Sequence, residues 1–175
     1  MELPLGQLLK LVNEYVEEVE RLKDLRDKES VKVYRPGEDP IEPEFTVEDI
    51  TKDINELNRK IRKLRKRIAE SNLEVSVSTY EGKTISLAEA LTYKGQLKAE
   101  LESLKKYVKR RPKERRSMSF DDNTEIEEIN YNIEDVKEYV NDLSKRHRKI
   151  QAEIDKVNIN YIVEVEEDLV ESNYV

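Results

Sequence analysis

Thr46-Val47-Glu48-Asp49-Ile50-Thr51-Lys52-Asp53-Ile54-Asn55-Glu56-Leu57-Asn58-Arg59-Lys60-Ile61-Arg62-Lys63-Leu64-Arg65-Lys66-Arg67-Ile68 is the stretch that decides the fold. Val47, Ile50, Ile54, Leu57, Ile61, Leu64 and Ile68 alternate spacings of three and four, which draws one apolar line along a helix. Thr46 followed three residues later by Asp49 is a short-armed capping box and marks the start. Almost every other position is polar. Two apolar residues per heptad cover one contact line, as in a coiled coil, where a helix inside a globular core shows a wider stripe.

The same alternation recurs three times. Before it, Pro4 suits a helix start, and Leu5, Leu8, Val12, Tyr15, Val19 and Leu22 keep the register. Residues 30–45 break it: Val31 to Tyr34 alternates briefly like a strand, and Pro36, Pro40 and Pro43 deny a continuing helix. After it, Val75, Val77 and Thr79 turn to period two and Glu81-Gly82 supplies a turn, so residues 74–85 read as a small hairpin. Ser86-Leu87-Ala88-Glu89 is a fuller capping box, opening a seam of Leu87, Ala90, Leu97, Leu101, Leu104 and Val108 that Pro112 ends. From Asp121 to Thr124 a fourth helix is predicted to start, with Ile126, Ile129, Ile133, Val136, Val140, Leu143, His147, Ile150, Ile154, Val157 and Tyr161 in one register. Tyr161 to Val165 is β-branched and suits a strand, which an up-down-up-down path brings to the end that carries the hairpin.

The fold predicted is therefore all-α: one helical domain over residues 1–175, an antiparallel coiled-coil-like four-helix bundle with a minor β-hairpin or small sheet at one end. Its helices lie near 5–28, 47–72, 87–111 and 122–160. The fourth spans roughly 50 Å against roughly 35 Å for the first, so the ends cannot be level. A narrow seam and an overhang favour completion by a second copy, and a homo-oligomer is expected.

Composition supports long solvated helices and removes several functions. Charged residues make up 41% of 175, with four glycines and no tryptophan, a poor balance for a turn-rich sandwich or a cofactor-wrapping sheet. No cysteine means no disulfide, thiolate metal site or cysteine nucleophile, and the lone His147 falls short of the usual zinc and di-iron sets. His147 stands on the fourth seam and reads as a packed or boundary residue. The dispersed glycines form no phosphate loop. No catalytic, cofactor-binding or metal-binding residue emerges, and an enzyme is not expected. The absence of a long apolar run and of a basic leader points to a cytoplasmic protein without a membrane span.

Two basic runs stand out in a chain of net charge −7. Arg59, Lys60, Arg62, Lys63, Arg65, Lys66 and Arg67 put seven bases in nine residues, and residues 105–116 hold eight bases, among them Arg110, Arg111, Arg115 and Arg116, against Glu114 alone. A phosphate backbone or an anionic surface would suit either run. The favoured reading is internal neutralisation: the first run by Glu14, Glu17, Glu18 and Glu20, the second by Glu125, Glu127, Glu128, Glu134 and Asp135. No aromatic residue is interleaved in the first run and no stacking platform is apparent, so nucleic acid is the less favoured partner.

Ile68-Ala69-Glu70-Ser71-Asn72, Glu81-Gly82 and Ser86-Leu87-Ala88-Glu89-Ala90-Leu91 with Lys94 and Leu97 resemble the segment between the second and third helices of the septicolysin-like family of small bacterial proteins of unknown function. Residues 5–25 and Ile150, Ile154, Asn158, Ile159 and Val163 follow that family more loosely. The chain departs from it at Ala69 and at Lys94-Gly95, where the family carries Asn and Arg-Asp. The resemblance implies a small helical protein and no known activity. The expected function is a non-enzymatic helical interaction or assembly module, whose partner is itself or another protein. The alternative is a nucleic-acid or anionic-surface binder using residues 59–67 and 105–116. A weaker third option, membrane activity, would require the seams to be exposed.

Overall fold

A computed structural model describes residues 1–40, 42–117 and 124–170. Four long helices carry the structure, α1 (Leu5–Glu29), α2 (Val47–Glu74), α3 (Leu87–Lys109) and α4 (Ile133–Asn160), and three two-stranded antiparallel sheets accompany them. The chain divides into two compact units, Met1–Val75 with Lys156–Val175, and Ser76–Asp155.

In the first unit α1 packs on α2 along the predicted seams. Leu5, Leu8, Val12, Tyr15, Val19 and Leu22 are buried, as are Ile50, Ile54, Leu57, Ile61, Leu64 and Ile68. Only Val47, at the first turn, stays exposed. Arg26, late in α1, donates to Thr51 Oγ1 early in α2 at 3.3 Å, and Lys60 lies over the Tyr15 ring, so the two helices run antiparallel. Thr46 Oγ1 accepts from the Asp49 amide at 3.1 Å, which is the predicted N-cap. Each buried Leu or Ile contributes on the order of 1.5–3 kcal/mol, so the seam outweighs any surface ion pair.

Strand β6 (Ile162–Glu164) forms where β-branching suggests, but its partner is β1 (Glu2–Pro4), with Leu3 opposite Val163. The Leu5 amide donates to the Tyr161 carbonyl at 2.9 Å and the Val165 amide to the Met1 carbonyl, extending the ladder at both ends. Beyond β6, Val165 and Leu169 are buried, and Leu169 accepts a hydrogen bond from Tyr15 Oη at 2.9 Å. The segment after α4 is thereby tied to α1. Val31 to Tyr34 is irregular, with Val33 87% exposed, because no strand among the described residues meets its alternation.

In the second unit β2 (Ser76–Ser78) and β3 (Thr84–Ser86) form the predicted hairpin, and Gly82 turns it with φ +78°. Ser86 caps α3 with both halves of the capping box in place.

The start of the fourth helix needs correction. It begins at Ile133, not near residue 122; Asn132 Oδ1 accepts from the Glu134 amide at 2.9 Å. Residues 121–123 lie outside the described residues, and Thr124–Glu128 is strand β5, paired with β4 (Lys113–Ser117). Ile126, Ile129 and Ile133 have helical spacing, but Pro112 stops α3 and leaves the chain after it extended, with acids opposite Lys113 and Arg116. Lys113 pairs with Glu128 at 3.1 Å, and Arg116 stands in register with Glu125. Ile126 is accordingly 58% exposed instead of lying on a seam.

Candidate functional site

The first basic run lies on α2, where the seam residues Ile61 and Leu64 turn inward and impose distinct surroundings on its cations. Lys60 is buried, with its ammonium 6.0 Å from the centre of the Tyr15 ring. Arg59 chelates Glu56 at 2.6 Å and reaches Asp168 at 3.2 Å; both hydrogen bonds hold its guanidinium more firmly protonated than usual, and Arg59 in turn pulls the Glu56 carboxyl below its ordinary range. Lys63 meets Glu166 at 2.7 Å, and Arg67 donates to the Glu164 carbonyl at 3.2 Å and approaches Glu70 at 3.5 Å. Lys66 also faces Glu70. Arg62 and Arg65 remain exposed, and no carboxylate among the described residues pairs with them.

Arg59, Lys63, Lys66 and Arg67 are thus neutralised internally, but not by the acids expected. Glu14 pairs with Lys10, Glu18 with Arg21 and Glu20 with Lys23, all within α1. The acids that meet α2 are Glu166 and Asp168, more than a hundred positions away in sequence. The reason is directional: β6 runs back along α2 after pairing with β1, and its acidic continuation passes the bases.

The second run is divided by Pro112 between helix and strand. Lys105 pairs with Glu102, Arg111 with Glu114 at 3.4 Å, and Lys113 with Glu128. Lys106 and Arg110 flank the Tyr107 ring at 5.1 and 5.8 Å, while Tyr131 meets it edge-on and donates its hydroxyl to the Tyr107 carbonyl at 2.8 Å. Lys106, Lys109, Arg110, Arg111, Glu114, Glu127 and Ile129 line a cavity of about 530 Å³. Arg115 is exposed on β4 opposite Ile126, and the Arg116 side chain lies outside what is described.

A second cleft, of about 680 Å³, opens between the β2–β3 hairpin, α3 and α4, lined by Thr79, Glu81, Lys83, Ile85, Ala88, Glu89, Thr92, Tyr93, Gln96 and Arg146. Arg146 is engaged there by three partners: Tyr93, Asp142 and Glu81 hold its guanidinium, the latter two at 2.7 Å each, and raise its proton affinity. Sequence reasoning misses this cleft because its residues come from three elements with no local spacing in common.

The seams of the second unit are less well covered than those of the first. Leu101, Leu104 and Val108 on α3, and Val136, Val140 and His147 on α4, are half-buried, whereas Leu87, Ala90, Leu97, Leu143, Ile150 and Ile154 on the same two helices are fully buried. Tyr139 is 50% exposed. Among the described residues no group of His, Cys, Asp and Glu could hold a metal ion, and no helix is long and apolar enough to cross a membrane.

The fold is similar to that of a functionally unknown conserved protein from Corynebacterium diphtheriae, known from its crystal structure: the TM-score is 0.67 at 16% identity, over 94% of this chain and 100% of that one. At that identity the likeness speaks for the fold alone. No curated protein matches the chain in sequence. Residues 13–163 match a family profile across both compact units, and the chain therefore belongs to DUF6847, a family of unknown function.

Proposed function

We propose that this protein is a non-enzymatic assembly module that associates with a second copy of itself through the seam of α4. The observation that carries the reading is the half-burial of Val136, Val140 and His147, together with the exposed Tyr139, on a helix whose pattern is as regular as that of α2, whose seam is buried from Ile50 to Ile68. Charge favours a second copy. Glu134, Asp135 and Glu138, with Lys137 among them, make the first part of α4 acidic, and Lys145, Arg148 and Lys149 make the part that follows basic. An antiparallel pairing of two such helices about a two-fold axis near Leu143 lays each acidic half on the partner's basic half. A cytoplasmic setting, a coiled-coil-like contact and kinship with the septicolysin-like proteins belong to the same proposal.

Light scattering at micromolar concentration tests it. The expected mass is twice the 20.7 kDa of the chain, falling to 20.7 kDa in Val140→Glu. A mass of 20.7 kDa at every concentration would overturn it.

A further inference from the structure

We infer that the cavity at the end of α3 is a binding site for a small, multiply charged phosphate compound, a di- or triphosphate group. The two basic runs look alike in sequence and meet opposite fates. On α2 the cations near the end of the chain are occupied by Glu166 and Asp168, and Lys60 is buried against Tyr15. At the end of α3, Lys106, Lys109 and Arg110 have no carboxylate partner among the described residues, yet all three line one cavity with Arg111. The negative end of the helix dipole accounts for cations in this turn. It does not account for their convergence on a shared concave space.

The chemistry selects the ligand. Four cations against Glu114 and Glu127 leave the wall positive in a chain of net charge −7, so the attraction is local and not a property of the whole surface. Guanidinium and ammonium groups together suit phosphate oxygens, Arg110 and Arg111 through paired donors and the lysines as point charges. A volume of about 530 Å³ holds a compact polyanion. A nucleic-acid strand is the poorer fit. Its bases need a free aromatic face, and the Tyr107 ring already carries Lys106 and Arg110, with Tyr131 against its edge.

Calorimetric titration with inorganic tripolyphosphate at low ionic strength tests the site. Saturable binding of one ligand per chain is expected, weakening as salt is raised. It should fall about tenfold or more in Lys109→Ala/Arg110→Ala and be unchanged in Arg62→Ala/Arg65→Ala, whose exposed cations do not line this cavity. Adenosine triphosphate should bind no more tightly than tripolyphosphate, because no ring is free to stack on its base. Absence of saturable binding at low salt would overturn the inference, as would equal weakening in the two double variants. A single-stranded oligonucleotide that binds and is not displaced by tripolyphosphate would overturn it in favour of a strand-binding surface.

Discussion

Gly6 in the first turn of α1 lies against the backbone of Asn158 in α4: a Cβ placed on Gly6 would stand 2.9 Å from the Asn158 carbonyl oxygen. The close approach falls where β1 and β6 pair and brings the two helices together within the first unit. A helical glycine normally costs stability relative to alanine, so its presence here is decided by space. Gly6→Ala should destabilise the protein by about 1–3 kcal/mol, because the obstacle is backbone and cannot swing aside. Gly95→Ala, at a position in α3 with open space around it, should instead gain about 0.5–1 kcal/mol. Urea unfolding of the two variants distinguishes steric exclusion from ordinary helix propensity by the opposite signs.

Ile61 and Lys63 are neighbours within the basic run with contrasting roles. Ile61 is buried between α1 and α2, while Lys63 is exposed and pairs with a still more exposed Glu166. Ile61→Ala should cost about 2–5 kcal/mol and Lys63→Ala about 0.5 kcal/mol or less in thermal unfolding. Equal effects would mean that the run is not organised by its seam.

Tyr15 is 4% exposed and donates its hydroxyl to the Leu169 carbonyl, joining α1 to the segment beyond β6. Tyr15→Phe keeps the ring under Lys60 and strands a buried acceptor, so a loss of about 1–3 kcal/mol is expected. Amide exchange at Leu169 and Val170 should accelerate more than exchange in the middle of α2. Uniform acceleration across both would show that the hydroxyl does not tether this segment.

Asp49 at the start of α2 has its carboxyl held below the ordinary aspartate range, first by the hydrogen bond from Thr46 and then by Lys52. A lowered folded value means that the unfolded chain takes up the proton first. The stabilisation is therefore complete above about pH 3.9 and is lost as pH falls through the lower folded value. Carboxyl NMR titration should place the Asp49 midpoint below that of an unstructured aspartate. Thr46→Val should move it back up, and an unchanged midpoint would remove the hydroxyl as the cause.

The sequence alone determined the parts of this protein whose causes are local. Seven apolar residues at helical spacing and the Thr46 cap specify α2, Ser86 and Glu89 specify the start of α3, and Glu81-Gly82 sets the hairpin that Gly82 turns at positive φ. Each depends on residues within a turn or two of one another, so one strand of text contains the whole reason. Period alone misleads where the cause is distant: Ile126, Ile129 and Ile133 have helical spacing, yet Lys113 to Ser117 supplies a ladder that residues 124–128 join as a strand. Only the tertiary structure decided that β6 pairs with β1, that Asp168 and Glu166 meet Arg59 and Lys63 of α2 while Glu14, Glu18 and Glu20 pair with bases of α1 itself, and that Arg146 meets Tyr93 and Glu81 beside a cleft. These contacts join positions as many as 162 residues apart, and loop closure and burial, which no local pattern encodes, select among the many partners that charge or β-propensity would allow.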